Sequence, residues 1–131
     1  MSAIVYIDRS TIRSPDVAGL RHAVAELVDF IRDREPQLLF YGFEIDEAAA
    51  TMHVVAVHPD AASLELHLAL GGPAFRKVGA YIDLQEIDVF GDATDRVREQ
   101  LAEKAATLGT AARVHVGEVA PGFERLTPPR A

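Results

Sequence analysis

The chain has 131 residues, 49% of them hydrophobic and 25% charged, and a formal net charge of −7. That length suits a single domain whose one core buries about two-thirds of the surface the unfolded chain exposes, and the composition is that of a globular protein. The acidic balance speaks against nucleic acid and anionic membranes, which both require a basic patch, and the lack of cysteine removes disulfides, thiolate nucleophiles and thiolate metal sites.

The N-terminus, MSAIVYIDRS, is interrupted early by Asp8 and Arg9, and no apolar run approaches the roughly 18 residues of a membrane span. A cytoplasmic protein is expected. Residues 3–8, AIVYID, are β-branched and aromatic and predict a strand with apolar side chains on both faces. Ser14-Pro15-Asp16 then predicts a helix start, with Ser14 as the cap and Pro15 in the first turn. Val17, Leu20, Val24, Leu27, Val28 and Ile31 form its apolar stripe, His22 faces the solvent side, and Pro36 ends it.

Residues 37–46, QLLFYGFEID, predict a second strand with Leu39, Tyr41, Phe43 and Ile45 on one face. Gly42 between aromatics suggests a bulge or room for a neighbouring group. Residues 51–58, TMHVVAVH, predict a third strand after a short connection. Alternation separates His53 from His58, since successive side chains point to opposite faces. A three-histidine metal site is therefore disfavoured, and a site built from His58, His67 and Asp60 matches no ligand spacing. No metal is expected.

Residues 63–70, SLELHLAL, fit a strand by alternation and a helix by their leucine and alanine content. Asp60 is a good N-cap, and Gly71-Gly72-Pro73 is a strong helix stop, followed by a further helical turn over 74–80. Residues 81–90 predict a fourth strand with a parity shift near Gln85. A helix over 94–108 carries the stripe Val97, Leu101, Ala105 and Leu108 and ends at Gly109. A short strand over 112–119 follows, and the tail is expected to be irregular beyond Leu126 because two prolines adjoin there.

With 61–70 taken as a helix, the order is β-α-β-β-α-β followed by α-β. That predicts one α+β domain over 1–131: a ferredoxin-like βαββαβ core (3–91) with an antiparallel sheet, helices on one face, and a C-terminal helix-strand extension (92–121). The other sheet face stays apolar, so a homodimer packed sheet against sheet is expected.

Three stretches, FIRDREPQLLFYGFEID, MHVVAVHPDAASLELHL and PAFRKVGAYID, carry a resemblance to the dimeric α+β barrel proteins, and within them to the antibiotic-biosynthesis-monooxygenase-like family. The resemblance favours the helix over 61–70. In that family a histidine often lies in the second helix and an aromatic follows a loop later; His67 and Phe75 match those positions. The glutamate and tryptophan that commonly end the family's third strand are replaced by Ala56 and His58. Haem-degrading relatives use an asparagine and a tryptophan, and this chain has neither.

The simpler family members oxidise phenolic or quinol-like aromatics with O₂ and need no bound metal or flavin. By resemblance, His67 or His58 is the base, Tyr41, Phe43 and Phe75 line the pocket, and Arg76 steadies the anion. A near-neutral histidine suits that role, and aromatic walls suit that ligand. The plainer reading makes His67 a packing histidine and His58 a turn residue, in a non-catalytic small-molecule-binding or structural barrel. His53 and His115 alternate with valines and are expected to be sheet residues.

Overall fold

In the computed structural model, which describes residues 2–126, strand β1 (Ile4–Ile12) runs through the interior of a five-stranded sheet. Helix α1 (Val17–Arg34), strands β2 (Phe40–Asp46) and β3 (Thr51–His58), helix α2 (Ala61–Gly79) and strand β4 (Ile82–Phe90) follow. Helix α3 (Asp95–Leu108) and strand β5 (Arg113–Val116) complete the chain. The sheet order is β2-β3-β1-β4-β5; the pairs are antiparallel except β4–β5, which is parallel. This is the expected ferredoxin-like α+β architecture with a helix-strand extension. The tail beyond Leu126 lies outside the described residues.

Alternation along β1 buries Ile4, Tyr6, Asp8 and Ser10 on the face toward the helices, with Val5, Ile7 and Arg9 on the other. The strand outruns its expected end because residues to Ile12 pair with β3 or β4. Helix α1 is capped two residues later than expected, at Asp16 instead of Ser14. Asp16 accepts from Gly19 N at 2.9 Å, while Ser14 Oγ accepts from Asp16 N at 3.1 Å, so Pro15 precedes the cap and lies outside the helix. Leu20, Ala23, Val24, Leu27 and Ile31 are buried against the sheet, and the helix stops before Pro36 with Glu35 at its C-cap.

Strand β2 begins at Phe40, after a turn at residues 36–37, although Leu39 N already donates to Val57 O of β3 at 2.9 Å; its register with β3 is unbroken at Gly42. The glycine makes room for the Phe40 ring, which a Cβ there would approach to 3.0 Å. In β4 the register shifts opposite Arg9 and Ser10, so Ile82 and Leu84 before it and Ile87 and Val89 after it all face the core.

The Gly71-Gly72-Pro73 stop does not operate. Helix α2 runs through it from its Asp60 cap, with Pro73 inside. A proline in a helix interior costs about 3 kcal/mol. Continuing the helix buries Phe75 and Val78, and each fully buried side chain of this size contributes roughly 1.5–3 kcal/mol. Tertiary packing outweighs the local signal. Helix α3 is capped by Thr94, whose hydroxyl accepts from Val97 N at 3.1 Å; it buries Val97, Gln100, Leu101 and Ala105. Strand β5 is shorter than expected and adds to the β4 edge. Among the described residues, no helix is long and apolar enough to cross a membrane.

Candidate functional site

Asp60 caps α2 by accepting from Ser63 N at 2.9 Å, which sets the phase of the helix. Ser63 and His67 lie four residues apart and so share its inner face. His58 ends β3 on the face that also carries Met52, Val54 and Ala56. Its Nδ1 lies 2.7 Å from Ser63 Oγ, which also accepts from Gln37 Nε2 at 3.1 Å. His67 Nδ1 lies 2.8 Å from Glu35 Oε2, at the end of α1.

His67 is therefore the centre of a ring cluster. Its ring centroid is 5.2 Å from those of Tyr41 and His58 and 5.4 Å from that of Phe75, while Tyr41 meets Phe43 edge-on at 5.2 Å. Burial holds both histidines below their ordinary pKa. For His58 the fall is to about 3, with the neighbouring His67 adding to it. For His67 burial is the larger effect, and the hydrogen bond and charge of Glu35 oppose it without reversing it. Neutral His67 then donates Nδ1–H to Glu35, which leaves Nε2 with a lone pair.

A second polar group faces the same space. Tyr6 donates to Asp8 Oδ2 at 2.5 Å, and Lys104 Nζ lies 3.5 Å from the same oxygen. The ammonium also stands over the Tyr6 ring at 4.7 Å and the Phe75 ring at 4.2 Å. Burial pushes Lys104 down, against the raising effect of Asp8, and pushes Tyr6 and Tyr41 up.

Asp8, Ser10, Tyr41, Phe43, His67, Phe75 and Lys104 line one cavity of about 30 Å³ between helices and sheet. That is room for a couple of water molecules. A larger open groove of about 350 Å³ runs between α2 and α3, past Arg76, Arg96 and Gln100. Phe75, Lys104 and Leu108 border both spaces and so form the partition between them.

The structure thus brings His67, Tyr41, Phe43 and Phe75 to one cavity and packs His58 behind His67. Arg76 is exposed, in the outer groove, away from the His67 cavity. His53 lies on the opposite sheet face from His58, as parity requires, and is 3.9 Å from Glu44. Among the described residues, no three His, Asp or Glu side chains are arranged to hold a metal ion.

Glu35, Asp8, Ser10 and Lys104 are absent from the sequence-based candidates, although three of them have a signal. Glu35 falls four residues after Ile31 on the α1 stripe, Asp8 shares strand parity with Ile4 and Tyr6, and Lys104 sits between Leu101 and Leu108 on α3. Four buried polar atoms have no partner among the described residues: Ser10 Oγ, Glu35 Oε1, His58 Nε2 and Gln100 Oε1. Such atoms are uncommon in a folded core and call for an explanation.

No family model matches the sequence, and no curated protein matches it significantly. Solved structures do match. MupZ from Pseudomonas fluorescens is 18% identical, with 95% of this chain and 96% of that chain covered and a TM-score of 0.68. SnoaB, a cofactor-independent oxygenase from Streptomyces nogalater, is 16% identical over 72% of this chain and 96% of its own, with a TM-score of 0.60. An antibiotic biosynthesis monooxygenase is 23% identical over 70% of this chain and 98% of its own, with a TM-score of 0.56. The chain therefore shares its fold with these structures, a cofactor-independent oxygenase and an antibiotic biosynthesis monooxygenase among them. At these identities the likeness is one of fold, and fold does not fix function.

Proposed function

We propose that this chain is a small monooxygenase-like enzyme that deprotonates an electron-rich aromatic, a phenol or quinol, and lets the bound anion react with O₂ without a bound metal or flavin. One observation carries the reading: His67 borders an aromatic-walled cavity with its Nδ1 engaged by Glu35, which leaves Nε2 as the free nitrogen of the ring. A carboxylate that orients a histidine and fixes its tautomer is the arrangement that general-base catalysis requires. The substrate O–H bond breaks, the proton passes to Nε2, and the electron pair stays on the substrate oxygen.

His67 is favoured over His58 as the base. His58 does not border the cavity, its Nδ1 is engaged by Ser63, and its pKa of about 3 makes it a weak proton acceptor. Tyr41, Phe43 and Phe75 supply the walls. A polycyclic substrate exceeds 30 Å³, so binding requires Phe75 and Leu108 to swing toward the neighbouring groove.

The small cavity also supports a second reading, a non-catalytic binding or structural barrel whose pocket is filled by its own side chains. Oxygen uptake with anthrone- and quinol-type substrates separates the two. Turnover by the wild type that is lost in His67→Ala supports the enzyme; no uptake by the wild type favours the barrel. Unchanged turnover in His67→Ala removes His67 as the base.

The assembly we propose is a homodimer through the open sheet face, where Ile7, Phe40 and Phe90 are 39%, 55% and 60% exposed. Lone apolar residues are normal on a surface, but a contiguous apolar face normally has a partner. The reducing cytoplasm is the compartment we propose, in keeping with the cysteine-free sequence.

A further inference from the structure

Lys104 belongs to α3, outside the ferredoxin-like core, yet it lines the same cavity as His67. Its side chain is 11% exposed and enters between Phe75 and the Tyr6 ring. Apart from His67, it is the one basic side chain among the described residues bordering that space. Asp8 engages the ammonium at 3.5 Å, and a lysine carries three N–H donors. Donors therefore remain for a ligand.

Ser10 gives an independent sign. It follows Asp8 on the inner face of β1, is 0% exposed, and borders the cavity. Its hydroxyl has no partner among the described residues. A buried donor left unpaired is destabilising, and a ligand oxygen in the cavity would relieve that cost.

We infer that Lys104 and Ser10 together hold the negative oxygen of the ligand, so that the site takes phenols and enols as their anions and α3 is a working part of it. This rests on the deprotonation chemistry proposed for His67 and adds the group that stabilises its product. The proton leaves toward His67 Nε2, and the charge left on the substrate oxygen meets the ammonium and the hydroxyl. Fixed donors aimed at a developing oxyanion in a water-poor site are an effective form of stabilisation. Arg76 is exposed in the outer groove and does not border the His67 cavity.

The test uses 4-nitrophenol, whose phenolate absorbs differently from the phenol, titrated into the full chain across a range of pH. Binding by the wild type should favour the phenolate and lower the probe's apparent pKa. Ser10→Ala, which leaves the ion pair in place, should weaken phenolate binding several-fold. Lys104→Met combined with Asp8→Asn removes the pair without stranding a buried charge and should lose at least tenfold; urea unfolding checks that it is folded. A folded double variant that binds phenolate as tightly as the wild type overturns the inference, and so does a wild type that binds the phenol and phenolate equally or binds neither. Lys104-dependent phenolate binding without oxygen uptake upholds the inference and sinks the oxygenase. Oxygen uptake that is indifferent to Lys104 does the reverse.

Discussion

Glu35 Oε2 and His67 Nδ1 lie 2.8 Å apart, joining the end of α1 to the middle of α2, with side-chain exposures of 0% and 2%. Nothing local in the chain brings them together. The carboxylate holds the imidazole ring in place and determines which of its nitrogens is free.

Glu35→Gln keeps an oxygen that can accept from Nδ1 but removes the charge. We expect activity to fall about 10–100-fold, as for other residues that orient a catalytic ligand. Breaking a buried ion pair costs about 3–5 kcal/mol when a charge is stranded. Here His67 is pushed toward neutrality by burial, so the loss should be closer to the 1–3 kcal/mol of an impaired buried hydrogen bond. Oxygen uptake and urea unfolding at pH 7.5 measure the two effects. Full activity with an unchanged unfolding midpoint would contradict the orienting role.

Acid should destabilise the protein well before its carboxylates titrate. The folded-state pKa of His58 is about 3, against 6.5 for the free side chain, and that of His67 is also lowered. The unfolded chain thus binds more protons below pH 6.5. Stability is full above that value and is lost as pH falls toward 3, at up to about 1.4 kcal/mol per pH unit for each such group. Urea midpoints measured from pH 7.5 down to 4.5 should drop, and His58→Gln should flatten the slope. A midpoint constant across that range is the contrary result.

The neighbouring glycines Gly71 and Gly72 should respond unequally to alanine. A Cβ at Gly71 would stand 2.1 Å from Phe75 Cζ, and Phe75 is buried, so the ring must shift within the core. Overpacking of that kind costs about 1–3 kcal/mol. At Gly72 a Cβ meets nothing within 4 Å beyond its chain neighbours, but the ring of Pro73 disfavours the helical conformation for a residue that carries a Cβ before it. The gain of about 1 kcal/mol from helix propensity should therefore be largely offset and the net change small. Thermal unfolding of both variants decides this; equal shifts would mean that the Phe75 ring does not constrain Gly71.

The dimer proposal is independent of the chemistry. Phe40→Glu with Phe90→Glu places charge on the open sheet face, at side chains 55% and 60% exposed in the single chain. Sedimentation should give a dimer for the wild type and a monomer for the variant, with the fold retained. A wild type that sediments as a monomer at micromolar concentration removes the sheet-to-sheet contact.

Much of the framework is legible in the sequence because it depends on alternation. Strand β3 occupies the expected 51–58, the parity shift near Gln85 appears as a register shift in β4, and His53 and His58 part as alternation requires. Helix boundaries are less legible. Gly71-Gly72-Pro73 is a stop only while Phe75 and Val78 are ignored, and their burial lies beyond a local pattern. The candidate site divides the same way. The aromatic walls and His67 follow from spacing and resemblance, whereas Asp8, Glu35 and Lys104 are charged residues at stripe positions, and periodicity that scores apolar side chains passes over them. A charge on an apolar stripe is the sign to look for, because burying it is costly unless it is paired.

The pairing of Asp8 with Lys104 also bears on how the molecule assembles during synthesis. Asp8 lies in β1 and its cation in α3, so the carboxylate is synthesised well before the ammonium that engages it. Until that helix docks, the carboxylate on the inner face of the sheet has the Tyr6 hydroxyl but no cation beside it, and a buried charge without a counter-charge is costly to seal from water. Docking of α3 is therefore the step that brings a cation to Asp8 and lets the inner face of the sheet close over it.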